Sequence, residues 1–189
     1  MKHFYVAAAT VAASLMIFSC GGTKSITQAT GEKEVTIPCS DKHSDKEFFR
    51  GMGIGQSKDL NTARDKARMA ANAELAGSIT TLIKQVSERY VNDAGQKPED
   101  YAETFEGLTK QVVNQQISNL SVACNKTTST GNGMYKVYMS VEASKDEVFK
   151  ALERNAESQK KLETIFNREK FRKNFDEEMA KFEKENSVQ

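Results

Sequence analysis

Phe48-Phe49-Arg50-Gly51-Met52-Gly53-Ile54-Gly55 and the thirty or so residues after Asp59 decide the fold. The first piece reads as a strand whose glycines let another backbone or a helix come close. The second reads as a helix. Ala63, Ala67, Ala70, Ala71, Leu75, Ile79, Leu82, Val86 and Tyr90 recur at steps of three and four, the spacing of one helical face. Asp59 suits its N-cap, and Gly95 ends the element or the loop after it. Alanine fills the first half of the stripe and allows the helix axis to lie close to a sheet, while the larger side chains of the second half fill a core.

Downstream, Pro98-Glu99-Asp100 suits the first turn of a second helix, with Tyr101, Phe105, Leu108 and Val112 on its buried side and Gly107 weakening it by up to about 1 kcal/mol. Near Ile117 the period changes to alternation, placing Leu120, Val122 and Cys124 on one face of a strand. Gly131-Asn132-Gly133 then turns the chain into Tyr135, Val137, Met139 and Val141, an antiparallel hairpin. Ser144-Lys145-Asp146-Glu147 is a capping box, after which the chain favours helix almost to its end. Unbroken, that helix would extend about 60 Å at 1.5 Å per residue. Its apolar stripe runs through Leu162, Ile165, Phe166, Phe171, Phe175, Met179 and Phe182, between basic residues and the acidic run Asp176-Glu177-Glu178. Such a stripe needs a partner: its own copy in a coiled coil, a groove on another protein, or its own domain on folding back. On the other side of the glycine strand, Val35, Ile37 and Cys39 alternate in a short strand-like stretch that Pro38 assigns to an edge, followed by a polar loop from Asp41 to Lys46. The expected class is α+β: a small antiparallel sheet packed against a long Ala-rich helix, with a long C-terminal charged helix.

The N-terminus reads as an address. Met1, Lys2 and His3 precede a mostly apolar run from Phe4 to Phe18, which is shorter than the roughly 20 residues of a spanning helix and lacks a stop-transfer pattern. Ile17-Phe18-Ser19-Cys20 resembles a lipobox, with Phe18 departing from the small residue usual there, so Cys20 is the expected lipidation site. Residues 1–19 would then be a lipoprotein signal peptide, 20–34 a flexible tether rich in Gly, Thr, Ser, Gln and Lys, 35–152 the folded domain and 153–189 the C-terminal charged amphipathic helix. Removing the signal takes away one basic residue of 27 and none of the 26 acidic ones, leaving a formal charge near zero. No global field then draws in nucleic acid, and attachment falls to the acyl chains, each buried methylene adding about 0.8 kcal/mol.

Cys39 and Cys124 remain in a compartment where disulfides persist. If their strands are neighbours, a bridge closes a loop of about 85 residues, worth roughly 4 to 5 kcal/mol in the chain-entropy model; the alternative is two unpaired buried thiols. Gly51, Gly53 and Gly55 before a helix invite a phosphate-loop reading, but Gln56 stands where a dinucleotide fingerprint has glycine, and no GKS or GKT follows. His43, the one histidine downstream of the signal, has no HExxH partner. Neither catalytic nor metal-binding residues nor a cofactor are assigned.

The strand Phe49 to Gly55, the helix with Ala63-Arg64, Ala67-Arg68, Ala71, Asn72-Ala73 and Leu75-Ala76, and the strand Tyr135 to Val141 resemble the LPP-twenty family of small bacterial lipoproteins, over about Glu47 to Leu152. The resemblance implies an envelope lipoprotein whose fold is shared with the N-terminal domain of flagellar assembly protein T, with no catalytic residue to carry over. The expected function is therefore a non-enzymatic, lipid-anchored scaffold or protein-interaction module. Contact with an envelope protein or a second copy is expected through Leu162, Phe166, Phe171, Phe175, Met179 and Phe182. The rival reading is a periplasmic lipoprotein that binds a small lipid or glycan between the Ala-rich helix and the sheet. Gly21 directly after Cys20, in place of an acidic retention residue, points to the outer membrane, and the lack of an acidic run points to its periplasmic face.

Overall fold

The computed structural model describes residues 35–186; the expected lipidation site Cys20, the expected signal peptide and the expected tether lie outside them. From Thr36 onward the chain forms one compact unit. Its elements are β1 (Phe48–Ser57), α1 (Leu60–Asp93), α2 (Pro98–Ile117), β2 (Ser121–Ser129), β3 (Tyr135–Ser144), α3 (Lys145–Glu157) and α4 (Arg168–Asn186). The sheet is antiparallel in the order β1-β3-β2. The expected α+β class is what the chain adopts.

The glycines of β1 decide how α1 lies. In β1 the odd residues Phe49, Gly51, Gly53 and Gly55 are buried under α1, and each faces an inward residue of β3: Ala143, Val141, Met139 and Val137. A methyl group at Gly51, Gly53 or Gly55 would stand 2.4, 2.1 or 2.0 Å from the carbonyl oxygens of Ala71, Ala67 and Ala63. No side chain fits between strand and helix there, which explains both the glycines on one and the alanines on the other. Asp59 caps α1 as expected, its carboxylate accepting the Thr62 N–H at 2.8 Å. The lower half of α1 carries two adjacent buried columns, with Ile83 and Val91 beside Leu82 and Tyr90, because helices pack on it from both sides.

Four expectations need correction. Val35, Ile37 and Cys39 form no strand; the chain turns over residues 38–41, and Cys39 adopts a left-handed φ of 67°. In β2, a bulge between Val122 and Cys124 removes the expected common face and leaves Val122 exposed. The C-terminal helix is broken. α3 ends at Glu157, a run of turns follows, and α4 starts at Arg168 with the Asn167 side chain accepting the Lys170 N–H at 2.9 Å. Of the readings of the apolar stripe, the described residues take the fold-back, and α3 runs across the expected boundary at residue 152. Finally, the residues proposed for partner contact are core residues. Leu162, Phe171, Phe175 and Met179 are buried, while Phe166 and Phe182 pack against the same core.

The reason for the break is energetic. A straight helix would carry those side chains beyond the domain, whereas reversal buries them at about 1.5 to 3 kcal/mol each. The turn is held by Tyr90, whose hydroxyl donates to the Ile165 carbonyl at 2.5 Å and accepts the Asn167 N–H at 2.6 Å. Phe171 meets the Tyr90 ring edge-on at 5.1 Å, Phe175 meets Phe149 at 5.0 Å, and Phe182 reaches Phe49 at 5.7 Å. The polar side of α4 is pinned as well: Arg89 pairs with Glu177 and Glu178, and Asn174 donates to Asp93 at 2.9 Å. Burial alone would raise the Glu178 carboxyl, but hydrogen bonds from Lys181 and Arg89 outweigh it and hold the group below its usual range.

Cys39 and Cys124 are joined by a disulfide, with Cα atoms 5.8 Å apart across 85 residues of sequence. The loop that follows Cys39 is fixed to β1 and β3 by Arg50. Its guanidinium pairs with Asp45, donates to the His43 carbonyl at 2.7 Å and reaches Glu142 at 2.8 Å.

Candidate functional site

α1 and α2 are antiparallel neighbours joined by the short connection around Gly95, and a cleft of about 660 Å³ runs between them. Val91 and Phe105 are buried in its floor, and Val113 is half-buried on its wall. The floor contains hydroxyls, yet they are spent locally: Ser87 donates to the Ile83 carbonyl at 2.6 Å and Thr109 to the Phe105 carbonyl at 2.7 Å. The cleft therefore presents an apolar surface to any occupant.

Its rims are charged. On α1, Lys84 and Glu88 stand 3.9 Å apart, and on α2, Lys110 and Glu106 pair at 2.7 Å. The Lys110 ammonium, hydrogen-bonded to Glu106, lowers that carboxyl from its usual value. Lys84 and Lys110 lie toward the end remote from the connecting loop, and Glu88 and Glu99 toward the loop. The apolar floor thus lies between rims that carry both signs of charge, each lysine paired with a glutamate one turn away. A single stripe down α1 does not disclose the cleft; the paired neighbours Leu82-Ile83 and Tyr90-Val91 are the sequence signal that this half of the helix serves two packing partners.

The other candidates resolve differently. The pocket expected between the Ala-rich helix and the sheet is filled, since that interface cannot admit even a methyl group at Gly51, Gly53 or Gly55. The same contact removes the phosphate-loop reading: α1 backbone lies against the glycines, and the Asp59 carboxylate already occupies the helix N-terminus. His43 is exposed on the loop before β1, where its backbone carbonyl serves Arg50. Among the described residues, no group of three or more His, Cys, Asp or Glu side chains is placed to hold a metal ion, and no helix is long and apolar enough to cross a membrane. No model of a known protein family, no curated protein and no solved structure matches this chain.

Proposed function

We propose that the protein is a non-enzymatic lipoprotein of the cell envelope, anchored through acyl chains on Cys20, whose folded domain engages a protein partner through the α1–α2 cleft. The observation that carries the reading is the open apolar floor between charged rims, in a molecule that spends its other long apolar stripe on its own core. The occupant this cleft suits is an amphipathic helix of an envelope protein, its apolar face on the floor and charged residues of both signs against the mixed rims. The lipobox-like run before Cys20 and the resemblance to the LPP-twenty family support the envelope address, Gly21 supports the outer membrane, and the lack of an acidic run after it supports the periplasmic face.

Ala102, exposed on the cleft wall, gives the test. A photo-crosslinking residue at position 102 in the full lipidated protein is expected to yield a discrete protein adduct. The same residue at Met69, exposed elsewhere on α1, should yield none. Equal adducts from both positions would defeat the assignment. The cleft volume also favours a second reading, an amphiphile with its chain on the floor; a lipid adduct from position 102 in place of a protein would replace the first reading with this one. Cys20→Ser should abolish labelling by palmitate, and retained labelling would remove the anchor.

A further inference from the structure

The two edges of the sheet are treated differently. The β1 edge is closed by side chains. The Arg50 N–H donates to Ser44 Oγ at 2.9 Å, the Met52 N–H donates to Glu74 Oε2 at 2.9 Å, and Lys66 Nζ donates to the Gln56 carbonyl at 3.3 Å. These are the outward groups of even-numbered residues, so the odd residues of β1 bond β3 and the even residues of β3 bond β2. The hairpin agrees: the Thr130 N–H donates to the Met134 carbonyl at 2.8 Å and the Gly133 N–H to the Thr130 carbonyl at 3.0 Å, which sets Thr128, Lys126 and Cys124 against β3. By alternation Asn125, Thr127 and Ser129 direct their amides and carbonyls away from the sheet. Among the described residues no hydrogen bond closes them.

An open edge ordinarily carries protection such as proline, a run of charges or a covering segment. Here Asn125 to Ser129 are all exposed, without proline, and only Lys126 is charged. The strand is also rigid in advance, because the Cys39–Cys124 bridge fixes it immediately before the open stretch. The charge around it has one sign. From Ser121 to Val141 there is no acidic residue, and Lys126 and Lys136 lie on the outer face of the sheet, Lys136 above the Tyr138 ring at 5.2 Å. A second copy would bring lysines against lysines.

From this we infer that the Asn125–Ser129 edge of β2 accepts an extended segment of another protein as a fourth strand, with carboxylates at alternate positions over Lys126 and Lys136. Backbone pairing supplies the attachment and the lysines select the acidic face. The inference stands apart from the cleft and survives its failure.

The test uses the full chain in detergent and two fluorescent, N-acetylated nonapeptides, one alternating threonine with glutamate and one alternating threonine with lysine, read by anisotropy. Binding of the glutamate peptide is expected to be at least tenfold tighter than that of the lysine peptide and to weaken with added salt. Thr127→Pro removes only an outward N–H and should abolish binding. Lys126→Glu leaves the backbone intact and should reverse the preference, which keeps the test meaningful if the proline variant unfolds. Equal binding of both peptides, an unchanged preference in Lys126→Glu, or no binding at all overturns the inference. So would a dimer of the free protein, seen by analytical ultracentrifugation, that Thr127→Pro dissolves.

Discussion

Replacing Gly53 by alanine tests the packing of α1 on the sheet at the middle of the three close glycine contacts. The new methyl would stand 2.1 Å from the Ala67 carbonyl oxygen and 2.4 Å from the Ala71 amide nitrogen. Both are helix backbone, so no rotamer change relieves the clash, and ordinary contact requires the axis of α1 to retreat by more than about 1 Å. Overpacking a core costs about 1 to 3 kcal/mol, and a clash with backbone belongs at the upper end. Alanine reduces the freedom of the unfolded chain, which returns about 0.4 to 1 kcal/mol. The expected net loss is about 2 kcal/mol or more. In urea, with a slope of about 1 to 3 kcal/mol per molar, the midpoint followed by far-UV circular dichroism should fall by roughly 1 M. Gly107 supplies the opposite case, being exposed inside α2 with nothing within 4 Å of a methyl group. There the same substitution should stabilise by about 0.5 to 1 kcal/mol. If Gly53→Ala left the midpoint unchanged or raised it, the account of how α1 meets the sheet would be wrong.

Phe171→Ala should cost about 3 to 5 kcal/mol, visible as a lower melting temperature, because Phe171 is fully buried beside Tyr90, Phe149 and Phe166; unchanged melting would return the stripe to the role of an external contact. Alkylation of the native, oxidised protein should find neither Cys39 nor Cys124 reactive, and replacing both by serine should cost roughly 4 to 5 kcal/mol by the chain-entropy estimate. A modified cysteine in the native protein would contradict the bridge. The Glu178 carboxyl, held below the usual glutamate value of 4.5, contributes stability that is present above that pH and is lost as the pH falls through the lower folded value. Acid titration below about pH 4.5 should therefore weaken the docking of α4, and Glu178→Gln should flatten that part of the stability profile; an unchanged profile would show that Glu178 does not couple docking to pH.

The part of the fold governed by periodicity was readable in advance. The helical stripe from Ala63 to Tyr90 and the alternation from Tyr135 to Val141 each state a face, and each face was found against the core except at Ala70 and Tyr135, which are exposed. Errors fell where the chain leaves a period. Leu162, Ile165 and Phe166 lie within the run of turns and no proline or glycine marks it; the step of five from Phe166 to Phe171 and the capping residue Asn167 are its local signs, while the reversal itself is held by long-range contacts to Tyr90. The bulge at Ala123 is likewise a property of pairing with β3. Pro38 suggested an edge strand, while the bridge to Cys124 holds Cys39 in a turn with a positive φ. The cleft rests on which side of α1 each helix takes, a matter of tertiary packing.

The bridge between Cys39 and Cys124 also determines how the domain responds to mechanical load. Tension applied to the chain before Cys39 enters β2 directly through the covalent bond and continues along the backbone from Cys124. The 84 residues between them, which include β1, α1 and α2, form a slack loop outside the load path. If the chain is held through Cys20 as proposed, it can be pulled without peeling β1 from β3 or parting the walls of the cleft. The element that bears the strain is the β2–β3 hairpin, whose outer edge is the one left open.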